Sequence, residues 1–175
     1  MKMLRKMFLV VVLGVFAASS AFAVGGSKFE QELEKEQGAV KLVREIMKGG
    51  YDVITTAELD ALMKSGEEIL IIDTMPYEES YKKEHVPGAQ QFLFPIPDMD
   101  TWDSKETAGK SQEDYKALLG PDLNKKIVVY CGFVKCTRSH NGAMWAKKMG
   151  YTNVMRYTGG IFAWKGAGFT AASVK

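Results

Sequence analysis

The sequence predicts an α/β fold, a mostly parallel sheet of about five strands flanked by helices. Two observations predict it. Strand-like runs alternate with helical periods along most of the chain, the pattern of crossover units. Two of those runs, Ile69-Leu70-Ile71-Ile72 and Ile127-Val128-Val129-Tyr130, are almost wholly apolar and β-branched, as strands buried on both faces are.

Met1 to Ala23 reads as a secretory signal peptide. Lys2, Arg5 and Lys6 form the charged start, Phe8 to Ala18 the apolar centre, and Ala21-Phe22-Ala23 the small-residue cleavage site. The apolar run is too short to span a bilayer comfortably, and no cysteine near the cleavage point indicates a lipid anchor. The expectation is export to the periplasm with no stable membrane anchor after leader cleavage. Residues 24–50 form an N-terminal helical extension. Gly25-Gly26-Ser27 link it to the leader, and acids early (Glu30, Glu32, Glu34) and bases late (Lys41, Arg44, Lys48) suit a helix macrodipole over Phe29 to Lys48. Val40, Val43 and Met47 give that helix an apolar face, with Gly38 a point where it could split and Gly49-Gly50 its end.

Tyr51 to Ile54 is a short strand, and Thr55-Thr56-Ala57-Glu58 has the spacing of a capping box opening a helix to about Lys64. The Ile69 strand ends at Asp73, and Tyr77 to Lys83 makes a short helix. Gln91 to Phe94 is a third strand, stopped by Pro95 and Pro97. Asp98 to Lys110 is a polar loop carrying Trp102, either surface loop or lid. Ser111 caps a helix to about Leu119, ended by Gly120-Pro121. The Ile127 strand, a helix over Ser139 to Met149, a last strand at Asn153 to Tyr157, and a turn or helix after Gly159-Gly160 complete the chain.

Composition narrows the function. Removing the leader's Lys2, Arg5 and Lys6 takes the formal charge from +2 to −1, since that segment holds no acid. No basic run is interleaved with aromatics, so a nucleic-acid partner is not expected. About 150 mature residues are enough for one domain with an adequate core. The chain has two cysteines, Cys131 and Cys136, both in one short segment, so they cannot staple distant parts of the fold. In an oxidising compartment such a pair points to chemistry.

Cys131 falls where the Ile127 strand ends and the next helix approaches, and Asp73 at the end of another strand. Sites of open parallel sheets form at those carboxyl ends. A loop entering a helix aims N–H groups and partial positive charge at its centre, so a thiol there is expected to ionise more readily than usual. Lys135 and Arg138 add charge suited to an anion. The plainer reading of Cys131, a small core residue closing a strand, stands beside this one.

Three segments carry a family resemblance. Asp73-Thr74-Met75 through Tyr81, then Glu84-His85-Val86-Pro87-Gly88-Ala89, is similar to the N-terminal signature of rhodaneses, a sulfurtransferase family. Tyr130-Cys131 through Arg138-Ser139 resembles the family's active-site loop, and Gly159-Gly160-Ile161-Phe162-Ala163-Trp164 its C-terminal signature. The resemblance places a rhodanese-like domain over residues 51–170. It implies that Cys131 is the nucleophile that accepts sulfane sulfur as a persulfide, and that Arg138 closes the loop around it. Gly132, Phe133, Val134, Lys135, Thr137 and Ser139 would line the substrate, and Asp73 and His85 would be structural. The family usually places four residues between its Cys and Arg, and here six intervene. Met75 replaces the usual arginine, and Glu84 the glycine before the histidine.

Among the added loop residues is Cys136, a candidate resolving thiol or a spectator. The expected partners are a small sulfur-containing anion as donor, thiosulfate or polysulfide, and a thiol or protein acceptor. No cofactor is expected. No metal is expected either, because Cys131, Cys136, His140 and His85 match no standard zinc spacing. His140 reads as solvent-facing or loop-bracing, with a role as base near Cys131 less favoured. Two other readings remain: a dithiol oxidoreductase in which Cys131 and Cys136 cycle, acting on disulfides or oxyanions such as selenite or arsenate, and a non-catalytic binding module.

Overall fold

The computed structural model describes residues 27–174, so the expected leader lies outside the described residues. In chain order the helices are α1 (Lys28–Gly49), α2 (Thr56–Lys64), α3 (Gln112–Leu119), α4 (Arg138–Lys148) and α5 (Gly160–Gly166). The strands are β1 (Asp52–Ile54), β2 (Ile69–Asp73), β3 (Gln90–Gln91), β4 (Lys126–Tyr130) and β5 (Val154–Tyr157). All five strands are parallel, in the order β1-β5-β4-β2-β3. β4 therefore runs through the middle of the sheet, and the residue that follows it, Cys131, emerges at the centre of the carboxyl edge.

The apolar strands feed two cores because successive side chains point to opposite faces. Leu70, Ile72, Ile127 and Val129 join Tyr115, Leu119, Met144 and Trp145 beneath α3 and α4. Ile71, Val128 and Tyr130 join Leu59, Ile161 and Trp164 beneath α2 and α5. Capping boxes close the starts of α1, α2 and α3, at Ser27 with Glu30, Thr55 with Glu58 and Ser111 with Asp114. Among the described residues no helix is long and apolar enough to cross a membrane.

Four local expectations are corrected. The third strand is only Gln90–Gln91. Phe92 and Phe94 still bond the Asp73 and Thr74 carbonyls, but they bury their rings against Trp102 and Tyr115. Trp102 is thus neither lid nor plain surface: it packs edge-on to Trp145 and donates its indole N–H to the Lys110 carbonyl. The short helix after Pro76 is a single π-helical turn, Tyr77–Tyr81. Helix α1 runs unbroken through Gly38, with its expected apolar face outward. Val40, Val43 and Met47 are exposed, while Glu45 and Gly49 are buried where α1 meets α4. A buried ion pair, described below, sets which face turns in.

Candidate active site

Cys131 follows the last residue of β4, and the loop from it to α4 is held from two sides. On one side, Ile161 N–H donates to the Cys131 carbonyl and Phe162 N–H to the Gly132 carbonyl, each at 3.0 Å. Gly160 makes that approach possible. Its φ is +60°, and a Cβ there would lie 2.1 Å from the Cys131 oxygen, so only glycine fits. On the other side, Lys41 of α1 donates to the Lys135 carbonyl at 2.9 Å and to Thr137 Oγ1 at 2.6 Å. Within the loop, Cys136 N–H closes a turn onto the Phe133 carbonyl at 3.0 Å, returning the chain so that the two cysteine side chains meet.

The Cys131 side chain is sealed, 1% exposed. Its Sγ lies 3.3 Å from the Cys136 carbonyl and 3.5 Å from Ser139 Oγ. Burial pushes the Cys131 thiol up, and the neighbouring Cys136 adds to this, against hydrogen bonds from Ser139. Cys136 moves the other way. The Cys131 thiol donates to it, and the Arg138 and Gly132 N–H groups and the Arg138 charge favour its thiolate over the cost of burial. The expectation that Cys131 is the readily ionised thiol is therefore corrected: the loop dipoles converge on Cys136. Burial thus favours the protonated form of Cys131, and the groups around Cys136 favour its ionised form.

The other expected substrate-lining residues divide. Gly132 is buried beside the thiols, and Phe133 and Val134 stand exposed at the loop's outer rim, Phe133 against Phe162. Lys135 turns its ammonium to Glu34 on α1. The Arg138 guanidinium donates to the Phe94 carbonyl. Thr137 and Ser139 face inward, bonded to Glu45 and Arg156 rather than lining an open cavity. The loop covers Cys131, and its outward face is formed by the exposed residues 133–135.

Asp73 is buried at the end of β2, where Oδ1 accepts the Met75 N–H at 2.8 Å. Burial pushes its carboxyl up to about 6, against the pull of the Tyr130 hydroxyl and that N–H. His85 stacks on Tyr81 with ring centres 4.2 Å apart, its Nδ1 lies 2.7 Å from the Tyr81 carbonyl, and its backbone pairs with Ala172. These are scaffold contacts. Met75, in the place of the family's arginine, is buried with its sulfur beside Gly132.

Sequence reasoning missed the support under the loop. Arg156 on β5 is fully buried and bonds Glu45, Tyr51, Ser139 and the Cys136 carbonyl. His140 is also fully buried, with Nδ1 2.7 Å from the Tyr51 hydroxyl, so it is neither solvent-facing nor a base for Cys131. A signal existed. An arginine in a strand covered on both faces requires a buried counter-charge.

A family model for the Rhodanese-like domain matches residues 55–167. No curated protein matches the chain. Among solved structures, a thiosulfate sulfurtransferase from Pseudomonas aeruginosa aligns with a TM-score of 0.56 and 21% identity, over 77% of this chain and 23% of that one. The polysulfide-sulfur transferase homodimer from Wolinella succinogenes aligns with a TM-score of 0.52 and 13% identity, over 84% and 94% of the two chains. A protein of unknown function from Rhodopseudomonas palustris, described as a possible tyrosine phosphatase, aligns at 0.52 and 24% identity, over 77% and 93%. At these identities the likeness is one of fold.

Proposed function

Since the chain belongs to the rhodanese-like domain family, we propose that it is an exported sulfurtransferase carrying sulfane sulfur on Cys131. The observation that carries this reading is the placement of Cys131: the residue after the central strand, in hydrogen-bond reach of a second thiol on the same loop. Opening of the loop relieves the burial that holds the Cys131 thiol protonated, its proton passes to solvent, and the Cys131 thiolate is the nucleophile. The Cys131 thiolate attacks the outer sulfur of a donor such as thiosulfate. A sulfur–sulfur bond forms, the donor's own sulfur–sulfur bond breaks, and sulfite leaves with the electron pair. The positive end of α4 and the Arg138 charge favour the anions on both sides of this exchange.

The Cys131 persulfide is then attacked at its outer sulfur by a thiolate acceptor, which takes that sulfur and returns the Cys131 thiolate. Cys136 offers a second exit. Attack on the inner sulfur expels hydrosulfide and leaves a Cys131–Cys136 disulfide, which an external dithiol must reduce. Cleavage of residues 1–23 and action in the periplasm belong to the same proposal. Replacing Cys131 with Ser is expected to abolish sulfur transfer from thiosulfate and polysulfide to a small thiol, and full transfer by that variant would overturn the assignment.

The thiol-to-thiolate contact between Cys131 and Cys136 also favours a second reading, a dithiol oxidoreductase. Cys136→Ala separates the two. Transfer to an external thiol survives in a sulfurtransferase, whereas a dithiol reductase loses its turnover.

A further inference from the structure

The groups beneath the active-site loop form one hydrogen-bonded chain that begins on α1, outside the matched family region. Arg156 NH1 donates to Glu45 Oε2 at 2.5 Å and to the Tyr51 hydroxyl at 3.2 Å. Its Nε donates to Ser139 Oγ at 2.9 Å, and NH2 to the Cys136 carbonyl at 2.8 Å. A guanidinium has donors only, so Ser139 Oγ must accept in that bond. The single hydroxyl hydrogen of Ser139 is then left to point elsewhere, and Cys131 Sγ lies 3.5 Å away. The Cys136 carbonyl matters as well. Cys131 Sγ lies 3.3 Å from it, so when the thiol ionises the carbonyl dipole faces a thiolate. The guanidinium on the same oxygen offsets that repulsion.

We propose that Arg156, charge-balanced by Glu45 of the N-terminal helix, is a positioning residue for Cys131. It turns the Ser139 hydroxyl toward the Cys131 sulfur and anchors the Cys136 carbonyl on which that sulfur rests. The inference rests on Cys131 being the nucleophile of the proposed reaction. The surrounding titratable groups are accounted for. Cys131 faces Cys136 in the loop, and Arg138 sits one residue before Ser139 on α4. The guanidinium faces Glu45 and Tyr51. Lys41 lies 3.6 Å from Glu45, and His140 bonds Tyr51 rather than either thiol. Glu45 thus makes α1 part of the site: the helix supplies the charge that lets an arginine sit beneath the loop.

The test reads the thiol rather than sulfur transfer, so its failure is distinct from failure of the proposed function. In a Cys136→Ala background a single thiol titrates. The rate of its alkylation by iodoacetamide is followed against pH in four proteins: the background, Ser139→Ala, Arg156→Lys, and the two combined. Lysine keeps a charge opposite Glu45 but cannot bond Ser139, Glu45 and the Cys136 carbonyl together. Ser139→Ala is expected to raise the alkylation midpoint by about one pH unit, roughly tenfold in rate below the midpoint. Arg156→Lys is expected to raise it too, and the combined protein by less than the sum, because part of the arginine's effect passes through Ser139. Strictly additive shifts, or an unmoved midpoint in Arg156→Lys, would overturn the proposal. Should Arg156→Lys fail to fold, Ser139→Ala still decides: an unmoved midpoint there removes the hydroxyl donor on which the inference depends.

Discussion

Gly160 rests directly on the carbonyl of Cys131, leaving 2.1 Å for any Cβ, and its neighbour Ile161 donates to that same oxygen. Gly160, the first residue of α5, therefore fits against the backbone of Cys131. Gly160→Ala must pay both a left-handed φ and a clash with backbone that cannot rotate away. We expect a loss of at least about 2 kcal/mol in urea unfolding, with faster alkylation of Cys131 as the loop is displaced. Unchanged stability would show that the loop and α5 are not in this contact.

Glu45 and Glu34 both sit on α1 and both pair with cations, yet their expected contributions differ. Glu45 is 7% exposed and neutralises a fully buried arginine, so Glu45→Ala leaves an uncompensated charge and should cost about 3–5 kcal/mol. Glu34 meets Lys135 on the open surface, where screening leaves little. Glu34→Ala should leave the melting temperature unchanged. Thermal unfolding of the two variants side by side checks the contrast.

Asp73 gives the protein a pH signature. Burial raises its folded pKa to about 6, above the unfolded value near 4, so between these values the folded state holds more protons than the unfolded chain. Stability conferred by the neutral carboxyl is complete below about pH 4 and falls as pH rises toward 6, by at most about 3 kcal/mol. Asp73→Asn should flatten that slope and be the more stable protein at pH 7. Urea titrations at pH 4, 5, 6 and 7 read the difference. A wild-type stability that rises across this window relative to Asp73→Asn would contradict it.

The fold was legible because its carriers are local. Ile69 to Ile72 and Ile127 to Tyr130 announce strands buried on both faces, and the Ser/Thr-to-acid spacings at Thr55 and Ser111 announce helix starts. The site was legible in its position, at the end of β4, and less so in its electrostatics. Which cysteine the N–H groups of Gly132 and Arg138 would meet depends on how the loop turns at Phe133, a conformation that spacing does not encode. The face of α1 was misread for a related reason. Periodicity counts Val40, Val43 and Met47 as inward, but burial of Arg156 demands Glu45, and a buried charge outweighs a few half-covered apolar side chains. That pairing joins residues 111 positions apart, beyond the reach of any local pattern.

In the proposed reaction Cys136 decides between two fates of a Cys131 persulfide. With Cys136→Ala, release of hydrosulfide from the sulfur-loaded protein should slow by at least about tenfold, because the intramolecular attack is lost, while transfer to added thiol persists. Hydrosulfide release at the wild-type rate would make Cys136 a spectator.

The most direct measurement is the intact mass of reduced, leaderless protein after exposure to thiosulfate or polysulfide, beside Cys131→Ser and Cys136→Ala. A persulfide carrier gains one sulfur atom, the gain vanishes in Cys131→Ser, and it persists in Cys136→Ala. Loss of two hydrogens with no sulfur retained in any of the three proteins, requiring both cysteines, would contradict the account and establish a dithiol oxidoreductase.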